Sequence, residues 1–135
     1  MIQFFYENLP ESVNTDYTKW LEDIILSEGK KLGEINYIFC DDEYLLKVNQ
    51  DYLQHDYYTD IITFDYVKGK TISGEIFVSL QRISDNASTL SKEYEEELRR
   101  VLAHGILHLS GYKDKTEDEE MMMRNKEDHY LAKYK

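Results

Sequence analysis

Hydrophobic positions recur along the chain at helical spacing in three stretches. Apolar residues lie one helical turn apart between Asp16 and Lys31, so a helix is predicted there. A second helix is predicted after residues 41 and 42, two aspartates that each offer an N-cap. From Ile83 onward the pattern indicates helix to the end of the chain, with an interruption at Gly111.

Four other segments are rich in β-branched and aromatic residues, which is typical of strands. The last two flank a turn that contains Gly69, so they are expected to pair as a hairpin. This order of elements predicts a single domain over residues 1–135, of the α/β (α+β) class. We expect a mixed sheet of about four strands covered by helices. The predicted strands are residues 2–6, 35–39, 61–64 and 74–79.

Composition indicates the broad class of protein and the cellular compartment in which it is expected. The hydrophobic content of 41% is that of a globular protein and argues against disorder. Cys40 is the only cysteine, which excludes an intrachain disulfide, and its apolar neighbours favour a buried thiol. The first residues do not resemble a signal peptide, and no apolar run is long enough to span a bilayer. We therefore expect a cytoplasmic protein with no membrane partner.

The formal net charge of −11 argues against a nucleic-acid partner, because phosphate contacts usually need a basic surface. Net charge is a sum over the whole chain, however. A site that holds a divalent cation can be locally positive within an acidic protein. The charge therefore makes the search for a metal site important.

His104 and His108 are the strongest candidates for such a site. They lie four residues apart on the predicted C-terminal helix, so their imidazoles project from one face and can converge on one ion. Gly111 is expected to end that helix and let the chain turn back, which can bring Asp114 to a third position. Two imidazoles and one carboxylate suit Zn²⁺ and leave a fourth position open, as catalytic zinc sites do.

Spacing alone does not exclude a solvated histidine pair or histidines satisfied in the core. The apolar residues around the pair favour the metal site, because buried imidazoles need polar partners. A zinc peptidase is disfavoured, since Gly105 stands where the His-Glu-x-x-His motif has its glutamate.

The histidine segment resembles the signature of the YbeY family, His-Gly-x-Leu-His-Leu-x-Gly-Tyr-Asp-His, up to its last two positions. Asp114 stands where that family usually has a third histidine. The resemblance implies one divalent ion per chain, expected to be Zn²⁺ and held by His104, His108 and Asp114, and no organic cofactor. The matching segment here is His104-Gly105-Ile106-Leu107-His108-Leu109-Ser110-Gly111-Tyr112-Lys113-Asp114.

A second stretch, residues 48–64, also resembles the family, as does the strand that begins at residue 74. Leu53 stands where the family has an arginine that is thought to be important for activity. If that arginine stabilises phosphate charge, another cation must do so here. His55 is the nearest in sequence and is the catalytic candidate, while Lys68 and Lys70 of the hairpin are substrate-binding candidates.

The resemblance implies a single-strand-specific, metal-dependent endoribonuclease. Its expected role is maturation of the 3′ end of small-subunit ribosomal RNA and ribosome quality control, with the small ribosomal subunit as partner. The general base stays open between water activated by the ion and the substrate's own 2′-hydroxyl. Two alternatives remain: a metallopeptidase-like or other small hydrolase, and a ribosome-associated binding protein with a structural metal.

Overall fold

The computed structural model describes residues 1–7 and 17–134, and it contains strands and helices in nearly the predicted order. Within these residues there are four strands and five helices. The strands are β1 (Ile2–Tyr6), β2 (Lys31–Cys40), β3 (Ile61–Asp65) and β4 (Thr71–Ser79). The helices are α1 (Thr18–Ser27), α2 (Asp42–Leu53), α3 (Leu80–Thr89), α4 (Tyr94–Leu109) and α5 (Glu117–Leu131).

The strands form one mixed sheet in the order β1-β2-β4-β3. β1 and β4 both run parallel to β2, whereas β3 pairs with β4 antiparallel. The antiparallel pair is the predicted hairpin, with Ile61 opposite Val78. The predicted fold class is therefore confirmed.

The main core lies between the sheet and the helices, and α4 is its central helix. Leu98, Leu102 and Ile106 are completely buried, and they recur at helical spacing along α4. They pack in one cluster with residues of β2 and β4 such as Tyr37 and Ile76. This packing fixes the orientation of α4 relative to the sheet, while α1, α3 and α5 contact the same helix from other sides.

Element boundaries differ from the sequence prediction in two helical regions, and β2 and β4 begin earlier than predicted, at Lys31 and Thr71. The helix predicted over residues 16–31 ends at Ser27, because Gly29 takes a left-handed conformation (φ 73°) and Lys31 already pairs with Thr71 in the sheet. Residue 16 lies outside the described residues. The helical region predicted from Ile83 has the expected break at Gly111, between α4 and α5, and a second break, between α3 and α4, that was not predicted.

The burial of Cys40 agrees with the sequence analysis. Its side chain is fully buried, and burial raises the pKa of its thiol to about 12. In the described part of the chain, no helix has the length and apolar character needed to cross a membrane.

Candidate metal centre

His104 and His108 lie next to each other on α4 and line the same cleft as residues of β3 such as Ile61 and Thr63. Their ring centroids are 4.5 Å apart, and the rings are nearly perpendicular, at 84°. Both side chains are largely but not fully buried. The spacing of four residues has therefore brought two imidazoles together at the edge of the core.

The end of α4 brings the third group into place. Gly111 has φ 109°, which strongly favours glycine, and its N–H donates to the carbonyl of His108. The N–H of Tyr112 donates to the carbonyl of Leu107, which completes a Schellman motif. The chain then turns back, and Asp114 Oδ2 lies 3.3 Å from Nε2 of both histidines.

The other ring nitrogen of each histidine has a partner of its own. Nδ1 of His108 is 2.9 Å from the carbonyl oxygen of Tyr112, which can only accept, so this nitrogen carries the proton. Nδ1 of His104 is 2.7 Å from Glu127 Oε2. A hydrogen-bonded carboxylate or carbonyl behind each histidine is the arrangement that orients metal ligands in zinc proteins.

This arrangement has a direct electrostatic consequence. When both imidazoles are neutral with Nδ1 protonated, each Nε2 presents a lone pair to the same carboxylate oxygen of Asp114. Three lone pairs that meet at this distance repel one another unless a cation lies between them. The donor set thus fits a divalent ion that prefers nitrogen and oxygen ligands, such as Zn²⁺.

Glu127 also connects the site to Arg100. The carboxylate is only 5% exposed, and its Oε1 accepts from Arg100 Nη1 at 2.8 Å. Arg100 Nη2 in turn donates to Asp128 at 2.6 Å. Burial alone would raise the pKa of Glu127, but hydrogen bonds from His104 and Arg100 hold it below its usual value. Burial lowers the pKa of His104, yet Glu127 outweighs it and keeps that pKa above the usual value.

Glu28, which directly follows the end of α1, supports the site from further away. Its carboxylate accepts hydrogen bonds from the hydroxyl groups of Tyr112 and Tyr130 and from Lys126 Nζ. These bonds join α1 and α5 to the loop whose Tyr112 carbonyl orients His108. Burial would raise the pKa of Glu28, but these three donors lower it overall.

Gly105 explains why the glutamate of the peptidase motif is missing. A Cβ atom at this position would lie 3.0 Å from Ile76 Cδ1 and 3.2 Å from Ile61 Cδ1. The residue therefore faces the sheet and not the metal ligands. A glutamate here would be directed into the apolar core, so the peptidase base has no place in this fold.

The three ligand candidates open onto a cleft of about 680 Å³. In the described part of the chain, its walls carry five carboxylates and two guanidinium groups. Burial raises the pKa of Asp60 and of Glu97, and Asp60 raises that of Glu97 further. The five acidic residues are Asp60, Asp65, Glu97, Asp114 and Glu127, and the two basic ones are Arg100 and Arg124.

The remaining sequence candidates lie at different distances from this cleft. His55 lines it, in the loop between α2 and β3, and its ring stacks on Tyr57 with centroids 5.2 Å apart. Leu53 also lines the cleft. Lys68 and Lys70 are exposed near the hairpin turn and are not among the cleft residues, so their role in substrate binding stays a prediction.

Sequence reasoning missed Glu127, Arg100, Arg124, Asp60 and Glu97. Glu127 is 23 residues away from His104 along the chain, and α5 brings it to the imidazole. One signal was available: the spacing of three residues from Arg124 to Glu127 places both on one face of α5.

The fold and the site describe a small α+β protein in which His104, His108 and Asp114 could hold a metal ion beside a cleft. Comparison with known proteins then gives the family. The family model for Endoribonuclease YbeY matches residues 5–135, and the chain therefore belongs to the YbeY family.

Individual relatives agree with this assignment. The Endoribonuclease YbeY of Flavobacterium johnsoniae is 56% identical over 135 residues, which covers 99% of this chain and 97% of the relative. That of Flavobacterium psychrophilum is 52% identical and covers 97% of this chain and 94% of the relative. A solution structure from Thermotoga maritima matches with a TM-score of 0.70 at 28% identity, covering 97% of this chain and 87% of that one.

Proposed function

We propose that this chain is a zinc-dependent, single-strand-specific endoribonuclease that acts in ribosomal RNA maturation. Membership of the YbeY family supports the nuclease activity. The observation that carries the proposal is the convergence of His104, His108 and Asp114 at the cleft. One Zn²⁺ per chain is the proposed ion, because two imidazoles and a carboxylate match its preferences.

When bound, the ion would polarise a phosphodiester oxygen and lower the pKa of a water molecule. Other residues of the chain orient the three proposed ligands. Glu127 and the Tyr112 carbonyl hold Nδ1 of the two histidines, so that both Nε2 atoms face the cleft. Gly111 and the Schellman motif hold Asp114 opposite them.

The loop between α2 and β3 offers a reason for a preference for single strands. Asn49 holds this loop in two ways. Its backbone carbonyl accepts from the N–H of His55, and its side-chain Nδ2 donates to the carbonyl of Tyr57. Tyr57 is 56% exposed and lines the cleft. An unpaired base can stack on such a ring, whereas a base within a duplex cannot. We propose that His55 contacts the substrate here, supported by its place in the cleft wall.

Cleavage of a labelled RNA tests the proposed function. The zinc-loaded chain should cut a single-stranded RNA and leave a duplex of the same sequence intact, and a chelator should abolish cutting until zinc is restored. His104→Ala should be inactive while remaining folded by circular dichroism. No cleavage at any metal concentration, with RNA still bound, would instead favour a binding protein.

The ribosome is the proposed partner that brings the RNA to this acidic protein. With a net charge of −11, few phosphates can be neutralised, so free RNA should bind weakly and with a shallow salt dependence. Binding measured across a salt series, with free RNA and with small ribosomal subunits, checks this. Tight binding of free RNA with a steep salt slope would contradict the proposal.

A further inference from the structure

The cleft has an excess of negative charge that RNA must overcome. Its described walls carry five carboxylates against two guanidinium groups, and a divalent ion would reduce this excess without removing it. A phosphodiester that enters the cleft therefore needs a cation that is not already neutralised.

Arg100 is not that cation. Its Nη1 and Nη2 are held at 2.8 Å by Glu127 and at 2.6 Å by Asp128, and its side chain is mostly buried. A guanidinium that is held by two carboxylates has its charge and its donors already in use.

Arg124 is in the opposite situation. It lines the same cleft and is exposed to solvent, and it forms no ion pair or hydrogen bond with any residue that the structure describes. It lies on α5 one turn before Glu127, on the face turned toward α4, and Glu127 contacts His104 directly. A free guanidinium thus lies about one helical turn from a group that touches the metal ligands.

We propose that Arg124 binds a phosphate of the RNA chain beside the metal centre. This rests on the proposed function, because it assumes that the cleft receives RNA. A guanidinium presents paired donors that match two phosphate oxygens, and it keeps its charge at all relevant pH values.

Other lysines near the cleft are less suited to this role. Lys126, two residues further along α5, is bound to Glu28 at 3.2 Å. Lys68 and Lys70 lie outside the cleft walls. Arg124 is therefore the cation that the described geometry leaves available for a phosphate next to His104.

The test measures binding and not cleavage. A fluorescent single-stranded 2′-O-methyl RNA is titrated with the zinc-loaded full chain across a salt series, and a denaturing gel verifies that the probe stays intact. Arg124→Gln should weaken binding at low salt by roughly tenfold to a hundredfold, which is the range for a charged hydrogen bond. The slope of log affinity against log salt should become shallower by about 0.7, the value for one phosphate contact on a single strand.

Two further variants and one metal measurement make the result specific. Arg124→Lys should keep the wild-type salt slope, because the charge remains, with only part of the affinity. Lys133→Gln removes an exposed charge beyond the end of α5 and should change neither quantity. Zinc affinity should be the same in Arg124→Gln as in the wild type, which separates loss of RNA from loss of metal.

An unchanged slope and affinity in Arg124→Gln would overturn the proposal, as would undetectable binding of the probe by the wild type. A larger change in a Lys68→Gln, Lys70→Gln double variant would move the phosphate contact to the hairpin. If the wild type cleaves RNA but Arg124→Gln binds normally, the proposed function stands and this inference fails. If Arg124→Gln loses binding but the wild type cleaves nothing, the proposed function fails and the inference stands.

Discussion

Glu127→Gln is the substitution that most directly tests how the metal centre is organised. The carboxylate serves two partners at once, His104 Nδ1 at 2.7 Å and Arg100 Nη1 at 2.8 Å. A glutamine has nearly the same shape, but one of its two terminal atoms is an NH₂ group that only donates. Whichever way the amide turns, one of the two donors loses its acceptor and meets another donor.

The structure sets the size of the expected effect. Glu127 is 5% exposed, so solvent cannot replace the lost acceptor. A hydrogen bond to a charged group contributes about 1.5–3 kcal/mol, and we expect a loss of about 2–3 kcal/mol in the free energy of unfolding of the metal-free protein. Zinc affinity should fall by about 10- to 100-fold, the usual cost of losing a group that orients a ligand histidine.

Two measurements are needed, because a misfolded variant would also lose zinc. Urea unfolding gives the stability of the metal-free protein, and competition with a chromogenic chelator gives zinc affinity under conditions where circular dichroism shows native structure. Glu120→Gln is the matched control, since Glu120 is an exposed glutamate on the same helix outside the cleft. Zinc affinity in Glu127→Gln within twofold of the wild type would refute the claim that Glu127 orients His104.

Substitutions at three other positions have defined outcomes. Asp114→Ala should lower zinc affinity, measured by chelator competition, by more than the 10- to 100-fold typical of losing a group that orients a ligand. Asp114→His should retain zinc binding in the same assay, because histidine is also a zinc ligand. Unchanged zinc affinity in the alanine variant would show that Asp114 is not a ligand. Glu28→Gln should cost about 1–3 kcal/mol in urea unfolding at pH 7. The pKa of Glu28 is lowered on folding, so its stabilisation is present above the unfolded pKa and is lost as the pH falls through the folded pKa. A stability difference between wild type and Glu28→Gln that persists in strong acid would contradict this assignment. Gly105→Ala should lower the free energy of unfolding by about 1 kcal/mol, because crowding against Ile76 exceeds the gain in helix propensity. Equal or higher stability would show that the Ile76 side chain can move to accommodate the added methyl group.

The parts of the site that the sequence predicts are those set by local geometry. The spacing of His104 and His108 places their rings on one face of any α-helix, whatever surrounds it. Gly111 marks the end of that helix, because its φ of 109° is unfavourable for other residues. Asp114 follows three residues later, so a short turn is sufficient to bring it back to the histidines.

The parts of the site that the sequence did not predict depend on how helices pack together. The contact between Glu127 and His104 exists because α5 docks against α4, and no periodicity within either segment encodes that approach. Burial of Met123 and Tyr130, on the same side of α5, is what fixes this docking. The cations show the same limit: sequence pointed to His55 as the nearest one and to the hairpin lysines Lys68 and Lys70 as alternatives, whereas packing placed Arg124 in the cleft.

The acidic character of the protein and its place in a ribonuclease family can be reconciled through the order of binding. When both imidazoles are neutral and no ion is bound, the lone pairs of His104, His108 and Asp114 meet one another, and the cleft around them is rich in carboxylates. A divalent ion offsets part of that charge at the point where a phosphodiester would bind. Because coupling between two ligands is reciprocal, RNA that binds better to the metal-loaded cleft must also strengthen the hold on the metal by the same factor. If the proposed function holds, a cleft this acidic would favour RNA when the metal is bound, and it would repel polyanions from the metal-free protein.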